Sequence, residues 1–153
     1  AWTVAVLAAL APSGVESLTF YETSGWRGVM ETARGSTLPD PFPSLPGDVF
    51  PVWHVFAALS GFRSVAAGQV SHPERIAALV LSEKSGRSRM ILANLSPESV
   101  EVCLDLPGTK VRLLDEHSVA CAMHEPESWW KREPRIVSTL RLTAHAIAFI
   151  DPA

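Results

Sequence analysis

The sequence predicts a mainly β fold, in which an antiparallel β-sandwich follows a short helix and strand unit. Residues 1–62 alternate an apolar helix, a strand, a long proline-rich loop and a second helix, the order of a parallel α/β unit. After Phe62 the pattern changes to five or six short alternating segments without helices, which is typical of a sandwich. We therefore expect two parts, residues 1–63 and residues 64–153.

The first part is predicted from local signals. Residues 2–10 are apolar nearly all round, as in a helix buried on most sides, and the segment from Pro12 to Gly14 ends them. Alternation over residues 15–22 indicates a strand, and the prolines and glycines of residues 34–48 indicate a stiffened loop. A second helix is expected over 49–62, with Asp48 as N-cap, Pro51 in its first turn and Gly61 at its end.

The second part reads as paired strands. Residues 75–95 form a hairpin about Ser85 and Gly86, and residues 100–106 place four apolar side chains on one face: Val100, Val102, Leu104 and Leu106. Further strands are expected over 110–115 and 138–151, separated by a polar excursion at 124–135.

Composition excludes several classes of function. The net charge is −3, with 13 basic residues scattered among 16 acidic ones, so a nucleic-acid surface is not expected. No apolar run reaches the roughly 18 residues of a membrane span, and no secretory leader is visible, so we expect a cytoplasmic location. Cys103 and Cys121 lie in strand-like stretches and are expected to be reduced, although one bridge stays open. The histidines lack metal-site spacing, and neither a metal nor a cofactor is expected.

The chemistry-bearing candidates lie in the stretch LTFYETSGWRG, residues 18–28, and just after it. Glu22 ends a strand that feeds a long loop, which is where barrel active sites are built. Gly25 lets the chain turn and present the Trp26 indole, on which a sugar ring can stack. Arg27 offers a rigid fork of donors for a carboxylate or a polarised carbonyl. Tyr21 and Glu31 add further polar groups for substrate binding.

Each candidate has a structural alternative. Glu22 could form a salt bridge with Arg27, Arg27 could pair with Glu31, and Trp26 could cap the core. His54 is expected to be a helix-face histidine bonded to a neighbouring carbonyl. The pair Trp129 and Trp130 could form a carbohydrate-contacting edge, but packing against the sandwich is the favoured interpretation. Residues 94–96 match a glycosylation pattern and are interpreted as a turn.

Four stretches together resemble the C-terminal part of the D-apionate lactonase family, which is related to retaining glycoside hydrolases. They are TFYETSGWRGVME, PFPSLPGDVFPVWHVFAAL, ILANLSPESVEV and VRLLDE. The resemblance covers essentially the whole chain and is most specific over residues 20–62. It implies that residues 1–63 are the last βα unit of a (β/α)8 TIM barrel and that residues 64–153 are the C-terminal β-sandwich.

The resemblance also implies hydrolysis of a sugar lactone to the open acid, with Glu22 and Arg27 as catalytic residues. Tyr21, Trp26 and Glu31 would then bind the carbohydrate or sugar-lactone substrate. One βα unit cannot close a barrel, so the expected partner is the N-terminal barrel of the same parent chain. Two alternatives remain: the C-terminal region of a retaining glycoside hydrolase, and a non-catalytic structural or carbohydrate-binding module.

Overall fold

The computed structural model describes residues 1–104 and 108–152. Its helices are α1 (Trp2–Leu10), α2 (Pro51–Leu59), α3 (Val119–His124) and α4 (Pro126–Lys131), and a 3-10 turn spans Ala11–Ser13. Its strands are β1 (Glu22–Ser24), β2 (Gly28–Met30), β3 (Ser64–Ala67), β4 (Ile76–Ser82), β5 (Ser88–Asn94), β6 (Val100–Cys103), β7 (Lys110–Leu114), β8 (Arg135–Ile136), β9 (Thr139–Leu142) and β10 (Ile147–Asp151).

The strands after α2 form two antiparallel sheets. A six-stranded sheet has the order β3-β4-β5-β10-β7-β8, and β6 pairs with β9 in a two-stranded sheet. Neighbouring strands in both sheets run antiparallel, with β4 and β5 joined in register from Ile76 opposite Asn94 to Ser82 opposite Ser88. The predicted fold class, a mainly β protein with an antiparallel sandwich, is confirmed.

The central strands of the six-stranded sheet, β4, β5 and β10, are buried on both faces. Alternate residues of β4, β5 and β10, such as Ala78, Leu92 and Ala148, face the β6-β9 pair and form one apolar cluster. Their neighbours Leu79 and Phe149 face the helices and form a second cluster. A sheet covered on both faces has nearly continuous apolar strands. This explains why β10 reads IAFID, with four consecutive buried residues.

Helix α1 has the bounds predicted from its sequence, and it packs against β4 and β5. Val4 is fully buried in the helix-side cluster. On another side of the same helix, Trp2 is 70% exposed and Val6 is 39% exposed. The helix is therefore apolar all round although only part of its surface is covered within the described residues.

Four local predictions need correction. Residues 15–21 are not a strand, because no described strand lies beside them to complete a hydrogen-bonded ladder; the strand β1 begins at Glu22. The second helix starts at Pro51 with Phe50 as its N-cap, because Asp48 hydrogen-bonds other groups. The polar excursion at 124–135 contains the helix α4, and a further unpredicted helix, α3, directly precedes it and includes Cys121. Cys103 and Cys121 are both unpaired. Leu106 lies outside the described residues.

Asn94 is a fully buried polar residue that joins three parts of the sandwich. Its Nδ2 donates to the carbonyl oxygens of Glu98 at 2.6 Å and Thr143 at 2.9 Å. Its Oδ1 accepts from the backbone N–H and the hydroxyl of Ser96, each at 2.9 Å. Buried polar groups stay in native cores when their hydrogen bonds are complete. The sequence interpretation of residues 94–96 as a turn agrees with this arrangement.

Replacing Asn94 with Asp should lower the free energy of unfolding by about 3 kcal/mol, because a carboxylate would face two backbone carbonyls in the core. Ser96→Ala is the matched control, since it keeps the backbone donor and loses only a hydroxyl, so its cost should stay below about 1 kcal/mol. Urea unfolding at neutral pH measures both values. Equal stabilities for wild type and Asn94→Asp would contradict the assigned role.

His54 joins α2 to α3 inside the helix-side cluster. Its ring is fully buried and packs against Trp53 and Trp129, and its Nε2 lies 3.0 Å from the carbonyl oxygen of Ala122. Since a carbonyl only accepts, Nε2 carries the proton and Nδ1 presents a lone pair. No described residue is a hydrogen-bond partner of that buried Nδ1. The predicted helix-face histidine bonded to a carbonyl is therefore present.

Burial lowers the pKa of His54, and the bond to Ala122 opposes this only in part. Below the ordinary pKa of about 6.5, the unfolded chain binds a proton that the folded chain does not. The contribution of His54 to stability is therefore complete above that pH and is lost as the pH falls, by at most about 1.4 kcal/mol per pH unit. NMR titration of the His54 ring should give a midpoint below 6.5, and His54→Gln should weaken the pH dependence of unfolding. A midpoint above 6.5 would contradict the prediction.

Candidate functional site

The predicted site cluster lies on a tight turn between β1 and β2. The two strands pair in parallel, with Glu22 opposite Gly28 and Ser24 opposite Met30. The backbone N–H of Glu22 donates to the carbonyl of Arg27 at 3.1 Å. Residues 25–27 join these two parallel strands, so the chain makes one full turn between them. We call residues 22–28 the coil. Glu22 and Arg27 therefore lie next to each other at the same turn.

Two glycines allow this coil. Gly25 has φ +89°, a conformation that residues with a side chain rarely adopt. A Cβ on Gly28 would lie 2.7 Å from the backbone nitrogen of Ser24, so only glycine allows the two segments to approach. The sequence argument that Gly25 turns the chain beneath Trp26 agrees with this conformation.

Trp26, Phe42 and Arg27 form an exposed stack, which we call the aromatic platform. The rings of Trp26 and Phe42 are stacked with centroids 5.5 Å apart and an interplanar angle of 29°. The Arg27 guanidinium lies 4.6 Å from the centre of the Trp26 ring. Trp26 is 42% exposed and Phe42 is 45% exposed. Trp26 therefore does not cap the core within the described residues.

Glu22 is exposed, and no described residue forms an ion pair with either Glu22 or Arg27. The alternative of a strand-end salt bridge is therefore not observed. Neither charge is fixed in an ion pair, and the Arg27 guanidinium lies over the face of the Trp26 indole. Such groups are available to a ligand, whereas groups fixed in an ion pair are less so.

Tyr21 and Glu31 have different surroundings. The Tyr21 hydroxyl lies 3.0 Å from the hydroxyl of Thr3 on α1, and its ring packs near Phe20 and Phe56. Its φ of +40° is unusual for a residue with a side chain. The ring is half exposed. Tyr21 thus remains accessible while its hydroxyl is held by α1.

Glu31 is buried, with only 3% exposure. One carboxylate oxygen accepts from the backbone N–H of Thr32 and the other accepts from the Ser44 hydroxyl, each at 2.7 Å. The backbone of Glu31 donates to the carbonyl of Asp48 at 2.7 Å. Glu31 therefore holds the proline-rich loop against the coil, and its carboxylate does not lie at the exposed surface with Glu22 and Arg27.

Sequence reasoning missed two residues of this region, Phe42 and Ser44. Both lie in the loop at 34–48, where a single aromatic residue stands between Pro41 and Pro43. Prolines stiffen a loop and so reduce the entropy lost when it holds an aromatic ring on the surface. An exposed aromatic residue flanked by prolines was thus the available signal for Phe42, whereas nothing local indicated Ser44.

A cavity of about 340 Å³ lies elsewhere, between β7 and the segment after α4. It shares no residue with the predicted site, and its lining includes Arg112, Asp115, Ser118, Trp129, Arg132 and Arg135. The Arg112 guanidinium donates to the carbonyls of Trp129, Trp130 and Arg132, so it fixes the end of α4. Partial burial lowers the pKa of Arg112. Because this arginine is engaged by the protein, the cavity is a weaker candidate than the coil.

The pair Trp129 and Trp130 packs inward, as the favoured interpretation expects. Trp129 is 3% exposed and contacts Phe149 and His54. Trp130 also contacts Phe149, with ring centroids 5.0 Å apart. The edge of these rings is therefore occupied by the sandwich core and by α2.

Among residues 1–104 and 108–152, no group of three or more His, Cys, Asp or Glu side chains could hold a metal ion. Within the same residues, no helix has the length and apolar character needed to cross a membrane.

Two sequence profiles match this chain. The profile of the D-apionate lactonase TIM barrel domain matches residues 1–64. The profile of the D-apionate lactonase C-terminal immunoglobulin-like domain matches residues 73–150, about half of the chain. No curated protein and no solved structure matches the chain significantly.

The fold and the matches first define a class of protein, in which a segment of a TIM barrel is followed by an immunoglobulin-like β-sandwich. The chain belongs to the D-apionate lactonase family. The family resemblance noted in the sequence is thereby confirmed.

The bond between Glu31 and Ser44 should contribute measurably to stability. Hydrogen bonds to a charged acceptor contribute about 1.5–3 kcal/mol, so a double-mutant cycle with Glu31→Ala and Ser44→Ala should give a coupling near 1.5 kcal/mol. Chemical unfolding of the four proteins measures it. The matched control cycle combines Glu31→Ala with Ser99→Ala, an exposed serine of the sandwich, and should be additive within about 0.5 kcal/mol. Equal couplings in the two cycles would contradict the assignment.

Proposed function

We propose that this chain is the C-terminal part of a sugar lactonase that hydrolyses a D-apionolactone-like lactone to its acid. In this proposal the coil at residues 22–28 supplies one wall of the substrate site. The single observation that carries the proposal is the exposed coil itself, on which Glu22 and Arg27 lie adjacent and form no ion pair with a described residue, while Arg27 also belongs to the aromatic platform. The membership of the chain in a lactonase family gives the reaction class.

The chemistry of lactone hydrolysis explains the residue types. Water adds to the lactone carbonyl, the ring C–O bond breaks, and the product is a hydroxy acid that releases a proton at neutral pH. The carbonyl oxygen gains negative charge during the addition, and a guanidinium such as Arg27 can stabilise that charge. Glu22, as a carboxylate, can accept the proton of the attacking water. Both residues come from one hydrogen-bonded coil, so their backbones lie side by side before the substrate arrives.

The aromatic platform would bind the sugar ring. The C–H face of a small furanose-type lactone is apolar and fits against an indole, while its hydroxyls remain free for polar groups. The stack with Phe42 and the guanidinium of Arg27 restrain the Trp26 ring, which reduces the entropy lost on binding. Tyr21 completes the proposed substrate-binding residues, and Glu31 supports them from behind.

A complete site also requires further barrel units. A TIM barrel contains eight strand and helix units, and its active site collects residues from several strand ends. Residues 15–21 have no described neighbouring strand, and apolar surface is exposed at Leu18 within them and at Trp2 on α1. We propose that the N-terminal barrel of the same parent protein covers this surface. The isolated chain would then carry little activity by itself.

A second candidate function is that of a glycoside hydrolase, which the aromatic platform would serve equally well. In glycosidases a pair of carboxylates performs the reaction. Within residues 22–31 the coil contributes one exposed carboxylate, Glu22, since Glu31 is buried and bonded, and the chain belongs to a family of lactonases. This favours the lactonase over the glycosidase. We place the reaction in carbohydrate metabolism and in the cytoplasm, where unpaired cysteines such as Cys103 and Cys121 are usual.

The proposal is tested in the parent protein with all eight barrel units, using D-apionolactone as substrate and proton release as the measurement. Arg27→Met should lower kcat about 100-fold because the oxyanion loses a donor. Glu22→Gln should lower kcat by a similar factor, within the range typical of general base catalysis. Trp26→Ala should raise KM about tenfold, equivalent to about 1.4 kcal/mol of binding, whereas Trp26→Phe should preserve most of the affinity.

Glu16→Gln is the matched control, because Glu16 is an exposed carboxylate six residues before Glu22. It should leave both constants unchanged. Wild-type turnover in both the Glu22→Gln and the Arg27→Met variants would contradict the proposed function. Release of nitrophenol from nitrophenyl glycosides, without hydrolysis of the lactone, would favour the glycosidase instead.

A further inference from the structure

We propose that the immunoglobulin-like domain positions the substrate-facing loop of the barrel segment, and that His124 is the positioning residue. His124 acts through Asp48, which holds the proline-rich loop at 34–48. The claim that His124 holds the loop stands on contacts within the structure. The claim that the loop then improves substrate binding rests on the proposed function. It gives the appended domain a part in forming the site.

Three hydrogen bonds join the end of α3 to the segment at 48–54. The His124 Nδ1 lies 3.0 Å from the Asp48 Oδ1. The backbone N–H of Val49 donates to the carbonyl of Met123 at 3.0 Å. The third bond joins the His54 ring to the Ala122 carbonyl, also at 3.0 Å. Three consecutive residues of the sandwich domain, 122–124, thus bind the barrel segment immediately after its loop.

Asp48 connects His124 to the loop, because it forms hydrogen bonds to both. Its side chain is buried, and its Oδ2 accepts from the backbone N–H of Leu45 at 2.8 Å. Its backbone carbonyl accepts from Glu31, and its backbone N–H donates to Leu45. Asp48 therefore fixes the end of the loop and the start of the Glu31 segment at the same time. A buried carboxylate with this many bonds is sensitive to the loss of any one of them.

The loop in turn carries Phe42 to Trp26. The Ser44 hydroxyl donates to Glu31 at 2.7 Å, and Phe42, two residues before Ser44, stacks on the Trp26 indole. The chain of contacts therefore runs from His124 through Asp48 and the loop to the aromatic platform. Phe42 has no other aromatic neighbour within the described residues, so the position of the loop decides whether the platform is complete.

The hydrogen bond between His124 and Asp48 can be tested with one substitution that removes the donor and one that keeps it. A carboxylate only accepts hydrogen bonds, so Nδ1 of His124 must carry the proton that joins it to Asp48. Asparagine presents an amide N–H in nearly the same place, and alanine presents none. His124→Ala removes the donor, whereas His124→Asn keeps it. The His124 side chain is 59% exposed, so neither change opens a cavity in the core.

The first experiment measures hydrogen exchange of backbone amides in the chain as given. In His124→Ala the amides of Glu31, Leu45 and Asp48 should exchange about tenfold faster, the change expected from loss of a charge-assisted bond. The amides of the β4 and β5 pair should not change. His124→Asn should restore most of the protection. His117→Ala, an exposed histidine of the same domain, is the matched control and should behave as wild type.

Unchanged exchange over residues 31–48 in His124→Ala overturns the inference. Equal acceleration in the loop and in β4 also overturns it, because the effect would then be general destabilisation. Neither result depends on any substrate.

The second experiment measures the consequence in the parent protein with its complete barrel. His124→Ala should raise KM for the lactone several-fold with little change in kcat, and His124→Asn should recover the wild-type KM. An unchanged KM together with faster loop exchange overturns the link from the loop to the substrate. Absence of lactone turnover in the wild-type protein is a failure of the proposed function, and the exchange result for the loop stands independently of it.

Discussion

The structure depends on coverage of the second face of the six-stranded sheet. One face is closed by the β6-β9 pair, and the other would expose the side chains of Leu79, Ile91 and Phe149 to water if the helices were absent. Burying a side chain of this size contributes roughly 1.5–3 kcal/mol. Helices from both parts of the chain cover this face of the sheet. Helices α1 and α2 belong to the barrel segment, and α3 and α4 belong to the sandwich. The two parts therefore share one core.

Two of the buried polar residues lie where segments distant in the chain meet. His54 lies in the shared core because α2 meets α3 there, and its single bond to a carbonyl compensates only part of the cost of burying a ring nitrogen. Asn94 lies at the end of β5, where its side chain donates to the carbonyls of Glu98 and Thr143. Both groups join segments that are far apart in the chain. Each therefore favours one arrangement of the strands and helices over its alternatives.

The candidate site is held by hydrogen bonds at the edge of this shared core. Glu22, Trp26 and Arg27 lie on a coil that the hydrogen bonds of the Glu31 and Asp48 region support from beneath. The buried carboxylates of Glu31 and Asp48 bind the proline-rich loop, whereas Glu22 is exposed and forms no ion pair with a described residue. Glu31 and Asp48 therefore support the loop, and in the proposed function Glu22 is the carboxylate that acts on the substrate. Burial and hydrogen bonding, rather than residue type, distinguish Glu31 from Glu22.

The sequence by itself determined the elements that depend on local signals. Helix α1, the hairpin at Gly86 and the change from helical to strand pattern follow from hydrophobic periodicity and from glycine or proline. It also identified Trp26 and its glycine turn. Only the tertiary structure decided that Asp48 holds a loop instead of capping α2, that Glu31 is buried, and that Phe42 meets Trp26. These features depend on contacts between residues distant in the chain, such as Asp48 with His124, and local propensity contains no information about them.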